Sequence, residues 1–128
     1  MTPAFDSVAF TQLADDLGSY SDATEFVRSF TALLPARIER IEQALMTQDR
    51  EETITALLSL QASAAMAGAT QLYAATTHAL ATNPVERAPR GPLIRKLQGQ
   101  ADLFRQASAG LNPQILPSTE DVRRESRG

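Results

Sequence analysis

His78 is the only histidine in the chain and cysteine is absent, so few side chains can act as nucleophiles or metal ligands. A single histidine excludes a multi-histidine metal site, and without cysteine there is no thiolate ligand, disulfide or cysteine nucleophile. Acidic residues occur in pairs, at Asp15-Asp16, Glu39/Glu42 and Glu51-Glu52. Carboxylate di-metal centres also need Glu-x-x-His pairs, and none occurs, so we assign these acids to solvated helix surfaces and caps. We expect no metal and no cofactor.

Composition narrows the class of protein further. The 128 residues carry a formal net charge of −3, which argues against a nucleic-acid binder because such proteins bind phosphates through cationic side chains. No apolar run approaches the roughly 20 residues that cross a bilayer. The first residues, MTPAFDSV, are neither basic nor apolar. We therefore expect a cytoplasmic protein with no membrane segment. A glycine-rich phosphate loop and a nucleophile elbow are also absent.

The apolar residues follow helical rather than strand spacing. A first helix has Phe10, Leu13, Ala14 and Leu17 on one face and stops at Gly18. Asp22 and Glu25 form a pair typical of a helix start and predict that a second helix begins there. Its apolar positions recur every three or four residues, at Val27, Phe30, Leu34, Ile38, Ile41 and Leu45. Pro35 lies within this pattern and is expected to kink the helix or split it in two.

Three further helices are predicted after this one. Asp49 with Glu52 opens the third, whose inward positions are Ile54, Leu57, Leu60, Ala64 and Ala67. Gly68 separates it from a fourth, with Ala69, Leu72, Tyr73, Thr76, Ala79 and Leu80 inward. The stretch 83–92 reads as a loop because it holds three prolines and a glycine. The fifth helix turns Leu93, Leu97, Ala101, Phe104 and Leu111 inward.

These elements predict an all-α domain over residues 5–111. Amphipathic helices with short connections usually form an antiparallel, up-down bundle, and the very short turn at Gly68 predicts an antiparallel pair. Residues 112–128 are polar, contain two prolines and show no period, so we expect a disordered tail there.

The segment Leu57 to Ala69, LLSLQASAAMAGA, resembles the signature of histidine-containing phosphotransfer (HPt) domains, roughly AHxLKGSAxxLGA. The residues that fit without gaps are Ser59, Leu60, Ser63, Ala64, Ala65, Gly68 and Ala69. In that family a histidine carries a phosphoryl group in bacterial phosphorelays. The order of predicted helices over 5–111 also fits the family, and implies a four-helix bundle of HPt type with an additional N-terminal helix.

The departures from this signature concern its chemistry. Leu58 occupies the position of the phosphoryl-accepting histidine, Gln61 that of the family's lysine, and Ala62 that of a glycine. Leucine has no nucleophilic atom, and the cation that would stabilise phosphoryl oxygens is missing. The resemblance therefore implies a pseudo-HPt protein, not an enzyme. It would bind the receiver domain of a response regulator or hybrid histidine kinase without carrying phosphate, as a competitor or scaffold.

Leu58, Ala62 and Ala65 share one stripe of the third helix, away from its inward positions. Gln61 and Met66 border this stripe. The sequence leaves two alternatives open: Leu58 is exposed and faces a partner, or it is buried and widens the core. An exposed stripe could serve a receiver or a second copy, so the chain is a monomer or a weak homodimer.

His78 lies on the outward side of the fourth helix with Gln71, Ala75 and Thr82, and we expect it to be exposed. As the alternative phosphoryl acceptor it would be level with Leu58 across the Gly68 turn. Lys96, the only lysine, is distant in sequence, so a surface histidine without a role is the simpler interpretation. A third alternative is a generic helical adaptor.

Two groups of charges remain. A basic cluster surrounds the predicted loop and either contacts an acidic partner surface or only keeps the protein soluble. Its members are Arg87, Arg90, Arg95 and Lys96. The charges of the second helix that we assign to intrahelical ion pairs are Arg37, Glu39, Arg40 and Glu42.

Overall fold

The computed structural model describes residues 4–111, and this part of the chain is all helical, with no strand. The elements are α1 (Ser7–Leu17), α2 (Tyr20–Met46), α3 (Arg50–Ala67), α4 (Thr70–Leu80), a 3-10 turn (Val85–Arg87) and α5 (Arg90–Ala107). The prediction of an all-α class is confirmed. The predicted tail over 112–128 lies outside the described residues.

Local capping groups set both ends of α1 and α3. The Asp6 carboxylate accepts from the Val8 amide at 2.9 Å and opens α1, and Gly18 closes it in the left-handed conformation at φ 82°. Asp49 opens α3 as predicted, since its carboxylate accepts from the Glu52 amide at 3.1 Å. These groups satisfy backbone atoms that a helix end otherwise leaves unpaired.

The predicted start of α2 at Asp22 is wrong by one turn. Ser19 is the cap, because its hydroxyl accepts from the Asp22 amide at 2.9 Å and its backbone is extended. Pro35 does not split α2, which is one helix of 27 residues. The ring is exposed, whereas Leu34 and Ile38 on either side of it are buried. Burial of these neighbours offsets the backbone hydrogen bond that proline cannot make.

Three threonines belong to the core, and of these the apolar periodicity predicted only Thr76 to face inward. Thr24, Thr53 and Thr76 are fully buried. Each hydroxyl donates to the carbonyl four residues earlier in its own helix, at 3.0, 2.7 and 3.0 Å. Since a buried hydroxyl is costly only when unpaired, these residues pack as small apolar side chains.

The buried side of α4 differs from the prediction at two positions. Ala75 is buried rather than outward, because α4 packs against both α3 and α5 and so buries a wide arc. Tyr73 is 43% exposed rather than inward. α4 ends at Leu80, before the predicted Asn83-Pro84, and α5 begins at Arg90, inside the predicted loop.

The helices pack around a core drawn from all five. α2 runs antiparallel to α3, as contacts Arg37–Ser63 and Arg40–Glu52 show. α3 and α4 are antiparallel across Gly68, as predicted, and α5 packs against α2 and α4. The large side chains with almost no exposed surface are Val27, Leu34, Ile41, Leu57, Leu60, Leu72, Leu97 and Phe104.

Aromatic side chains join α1 to α2 and α5. Phe5 contacts Phe10 and Phe104, each with ring centroids 5.8 Å apart. Phe104 also meets Phe30 at 5.4 Å, and Phe10 meets Tyr20 at 5.3 Å, both edge to face. Edge-to-face pairs contribute about 0.5–1.5 kcal/mol each beyond area burial. One cluster thus anchors the N-terminal helix.

Gly68 lies where the end of α3, the start of α4 and the start of α1 meet. Its φ of 77° is the left-handed conformation that glycine adopts without strain. The Asp6 amide donates to its carbonyl at 2.8 Å, which ties the start of α1 to the α3–α4 turn. A Cβ at this position would lie 2.8 Å from the Asp6 carbonyl oxygen, so a larger residue would push α1 away.

Gly68→Ala is therefore expected to destabilise the protein more than Gly18→Ala, measured by urea unfolding. Gly18→Ala incurs only the left-handed backbone cost of roughly 1–2 kcal/mol, because nothing lies within 4 Å of its added Cβ. Gly68→Ala adds the clash with Asp6, about 1 kcal/mol or more. Gly99→Ala, in the open interior of α5, is the control and should stabilise by about 0.5–1 kcal/mol. Equal losses at Gly18 and Gly68 would show that the close approach to α1 contributes nothing.

Candidate docking face

The outward stripe of α3 is exposed and mainly apolar. Leu58 is 47% exposed, so the exposed alternative holds for this residue. Ala62 and Ala65 on the same stripe are exposed too, and Met66 at its end is 49% exposed. We call these four residues, Leu58, Ala62, Ala65 and Met66, the Leu58 face. Single exposed apolar residues are ordinary, but a contiguous group of them is typical of an interaction site.

α4 borders this face on one side. The Gln61 amide donates to the Thr77 hydroxyl at 2.8 Å, and that hydroxyl donates to the Tyr73 carbonyl at 2.8 Å. Gln61 is half-buried by this contact, which fixes it as an edge of the face rather than its centre. Tyr73 lies one turn before Thr77 and adds an exposed aromatic ring on the same side of α4.

α2 borders the face on the other side through Arg37. The Arg37 Nη1 donates to the Ser63 hydroxyl at 2.7 Å and to the Ser59 hydroxyl at 3.5 Å. Ser59 follows Leu58 in the chain, and Ser63 follows Ala62. The predicted intrahelical ion pair of Arg37 is wrong, because the antiparallel packing of α2 brings two hydroxyls of α3 within its reach.

Arg40, one turn further along α2, also departs from the predicted intrahelical pairing. Its guanidinium binds both carboxylate oxygens of Glu52 on α3, with Nη2 to Oε1 at 3.1 Å. The hydrogen bond from Arg40 lowers the pKa of Glu52, and the bond to Glu52 raises the pKa of Arg40. Both groups are solvated, so the pair contributes to register between α2 and α3 more than to stability.

α1 closes the face at its far end. A shallow groove of about 300 Å³ separates α1 from α3 and is lined by Leu13, Asp16 and Leu17 on one wall and Ala65 and Met66 on the other. Leu17, predicted to face inward, is 43% exposed because it lies in the last turn of α1, next to this groove. The apolar surface of α3 therefore continues onto α1.

His78 is exposed, as expected, but lies on another side of α4. It lines a groove of about 200 Å³ between α4 and α5, together with Thr82, Pro89, Pro92, Leu93 and Lys96. The sequence places no lysine near His78. α5 packs against α4 and brings Lys96, distant in sequence, into the same groove. The other cations of the predicted basic group, Arg87, Arg90 and Arg95, are exposed.

The chemistry that these surfaces offer is limited. Leu58 provides no nucleophile, and the Ser63 hydroxyl and the Gln61 amide at the borders of the face are already paired within the fold. Among residues 4–111, no three His, Cys, Asp or Glu side chains are grouped as a metal site would require. Over the same range, no helix combines the length and apolar character needed to cross a membrane.

The sequence matches no protein-family model, and no curated protein or solved structure matches the chain. The face is therefore interpreted from its own residues and from the resemblance of residues 57–69 to the HPt signature.

The sequence placed Leu58, Ala62 and Ala65 on one stripe with Gln61 and Met66 at its border, but it did not indicate the neighbours contributed by other helices. Arg37 and Leu17 belong to other helices, so no spacing within α3 points to them. Tyr73 falls on the apolar period of α4, which predicted it to face inward. Its phenolic hydroxyl, which favours contact with water, was the feature that indicated an exposed position.

Proposed function

We propose that this chain is a pseudo-HPt protein that binds receiver domains of response regulators or hybrid histidine kinases without carrying phosphate. In this proposal α2 to α5 form a four-helix bundle of HPt type, and α1 is the additional N-terminal helix. The observation that carries it is the exposure of Leu58, at the position where the HPt signature places its histidine. A buried Leu58 would have left no such face.

The make-up of the face supports docking rather than group transfer. Ala62 and Ala65 have short side chains, so a partner helix could approach α3 closely between Leu58 and Met66. Gln61 is held by Thr77 and offers no cation to a phosphoryl oxygen. A receiver held on this face would be withheld from phosphate donors, so the protein would act as a competitor or as a scaffold.

Leu58→Glu is expected to weaken receiver binding at least about tenfold, because it places a charge in the centre of an apolar contact. The measurement is biolayer interferometry against individually purified receiver domains of the organism that encodes this chain. Leu103→Glu is the matched control, since Leu103 is 49% exposed but lies on α5. Equal binding by wild type and Leu58→Glu would place the interface elsewhere. No binding to any of the receiver domains would contradict the pseudo-HPt proposal and favour the generic adaptor.

Leu58→His combined with Gln61→Lys tests whether the scaffold retains the geometry of a phosphotransfer site. If α3 presents position 58 as an HPt domain does, the double variant should accept a phosphoryl group from a phosphorylated receiver. Phosphate-affinity electrophoresis with acid treatment measures this, since phosphohistidine is acid-labile. Leu58→Ala with Gln61→Lys is the control that lacks a nucleophile. A double variant that is folded, binds the receiver and stays unphosphorylated would contradict the HPt assignment of this position.

A second candidate function is phosphotransfer at His78, and the placement of Lys96 in the same groove favours it. An exposed imidazole nitrogen would attack the phosphorus of an aspartyl phosphate, forming the N–P bond as the bond to the carboxylate oxygen breaks. Lys96 would stabilise the charge on the phosphoryl oxygens. This candidate predicts an acid-labile phosphoryl group in the wild type that is lost in His78→Gln and reduced in Lys96→Ala. Arg95→Ala is the control, and a wild type that takes up no phosphoryl group removes this candidate.

A further inference from the structure

Arg37 is positioned by the fold but not neutralised by it. Its Nη1 is fixed on α3 by the hydroxyls of Ser63 and Ser59, both uncharged. Neither ion pair found within residues 4–111 includes Arg37. The side chain is half-buried, so its stem packs while its positive charge stays at the edge of the Leu58 face.

Arg40 differs from Arg37 in having an acidic partner on α3. Both arginines extend from α2 toward α3, one turn apart. Arg40 meets the carboxylate of Glu52, whereas the residues of α3 opposite Arg37 are serines. The fold thus satisfies one guanidinium with an acid and leaves the other as a free cation beside an apolar surface.

We propose that Arg37 is a specificity-determining residue that binds a carboxylate of the partner docked on the Leu58 face. This inference rests on the proposed function and adds the chemistry of the partner to it. The partner surface would present an aspartate or glutamate next to apolar side chains. The cation of this site would lie on α2, whereas Gln61 has replaced the lysine of the HPt signature on α3.

The hydrogen-bonding capacity of the guanidinium supports this assignment. Arginine has five N–H donors in a planar fork, and the bonds to Ser63 and Ser59 use only Nη1. Donors on Nη2 and Nε remain to bind a carboxylate with two parallel hydrogen bonds. Because the serines already hold the side chain, less conformational entropy is lost when a partner binds.

The experiment measures the dissociation constant of the receiver domain that binds the full chain, at about 50 mM and about 500 mM salt. Arg37→Met should weaken binding about three- to tenfold at low salt and remove most of the salt dependence. Arg37→Lys should fall in between, because it keeps the charge but loses the fork. Ser63→Ala should weaken binding less than Arg37→Met, since the charge stays but its positioning is lost.

Arg28→Met is the matched control. Arg28 is an exposed arginine of the same helix that lies nine residues before Arg37, about two and a half turns, and lines a groove toward α5. Its loss should leave the dissociation constant unchanged, and thermal unfolding checks that every variant is folded.

The outcomes separate this inference from the proposed function. Receiver binding that Leu58→Glu abolishes and Arg37→Met leaves unchanged overturns the role of Arg37 and leaves the docking face standing. Equal losses in Arg28→Met and Arg37→Met also overturn it, because they would reflect overall charge. If no receiver domain binds the wild type, the proposed function and this inference both fall.

Discussion

The turn at Gly68 is the constraint on which the rest of the arrangement depends. It reverses the chain between α3 and α4. The Gly68 carbonyl accepts a hydrogen bond from the Asp6 amide, which holds the start of α1 against the turn. The approach of the Asp6 backbone leaves no room for a Cβ at this position. Because α1 begins there, it lies across the end of α3 next to Met66. The left-handed conformation of Gly68 therefore determines the antiparallel packing of α3 and α4 and the end of the Leu58 face at Met66.

The exposed stripe of α3 is what remains after its neighbours have packed. α2 covers the side that carries Ser63, α4 covers the side that carries Gln61, and α1 covers the C-terminal end. The positions between them, including Leu58 and Ala62, stay in solvent. The centre of this surface is the apolar side chain of Leu58, at the position where the HPt signature has a nucleophilic histidine. Its partner would be recognised by contact, not by transfer of a group.

α2 organises the charges around that surface. It is the longest helix, and it contacts α1, α3 and α5 along its length. Arg40 pairs with Glu52 across the antiparallel contact of α2 and α3. One turn earlier in α2, Arg37 lies opposite two serines, which hydrogen-bond to its guanidinium without neutralising its charge. Of these two neighbouring arginines, only Arg40 is neutralised by an acidic side chain of α3.

Local patterns in the sequence determined the helices and several of their ends. Periodicity identified all five, and the caps at Gly18, Asp49 and Gly68 act through neighbours within a few residues, so their chemistry can be read from the chain. The start of α2 was missed because Ser19 and Asp22 are both good caps, and only the length of the link between α1 and α2, which is Gly18 and Ser19, selects the first. Leu58 could be placed on the outward stripe but not declared exposed, since a Leu58 buried beneath another part of the chain would have the same spacing within α3. The partners of Arg37 and the approach of Lys96 to His78 depended on packing between helices. A side chain of this length can reach several groups, and the tertiary structure alone decides which of them is near.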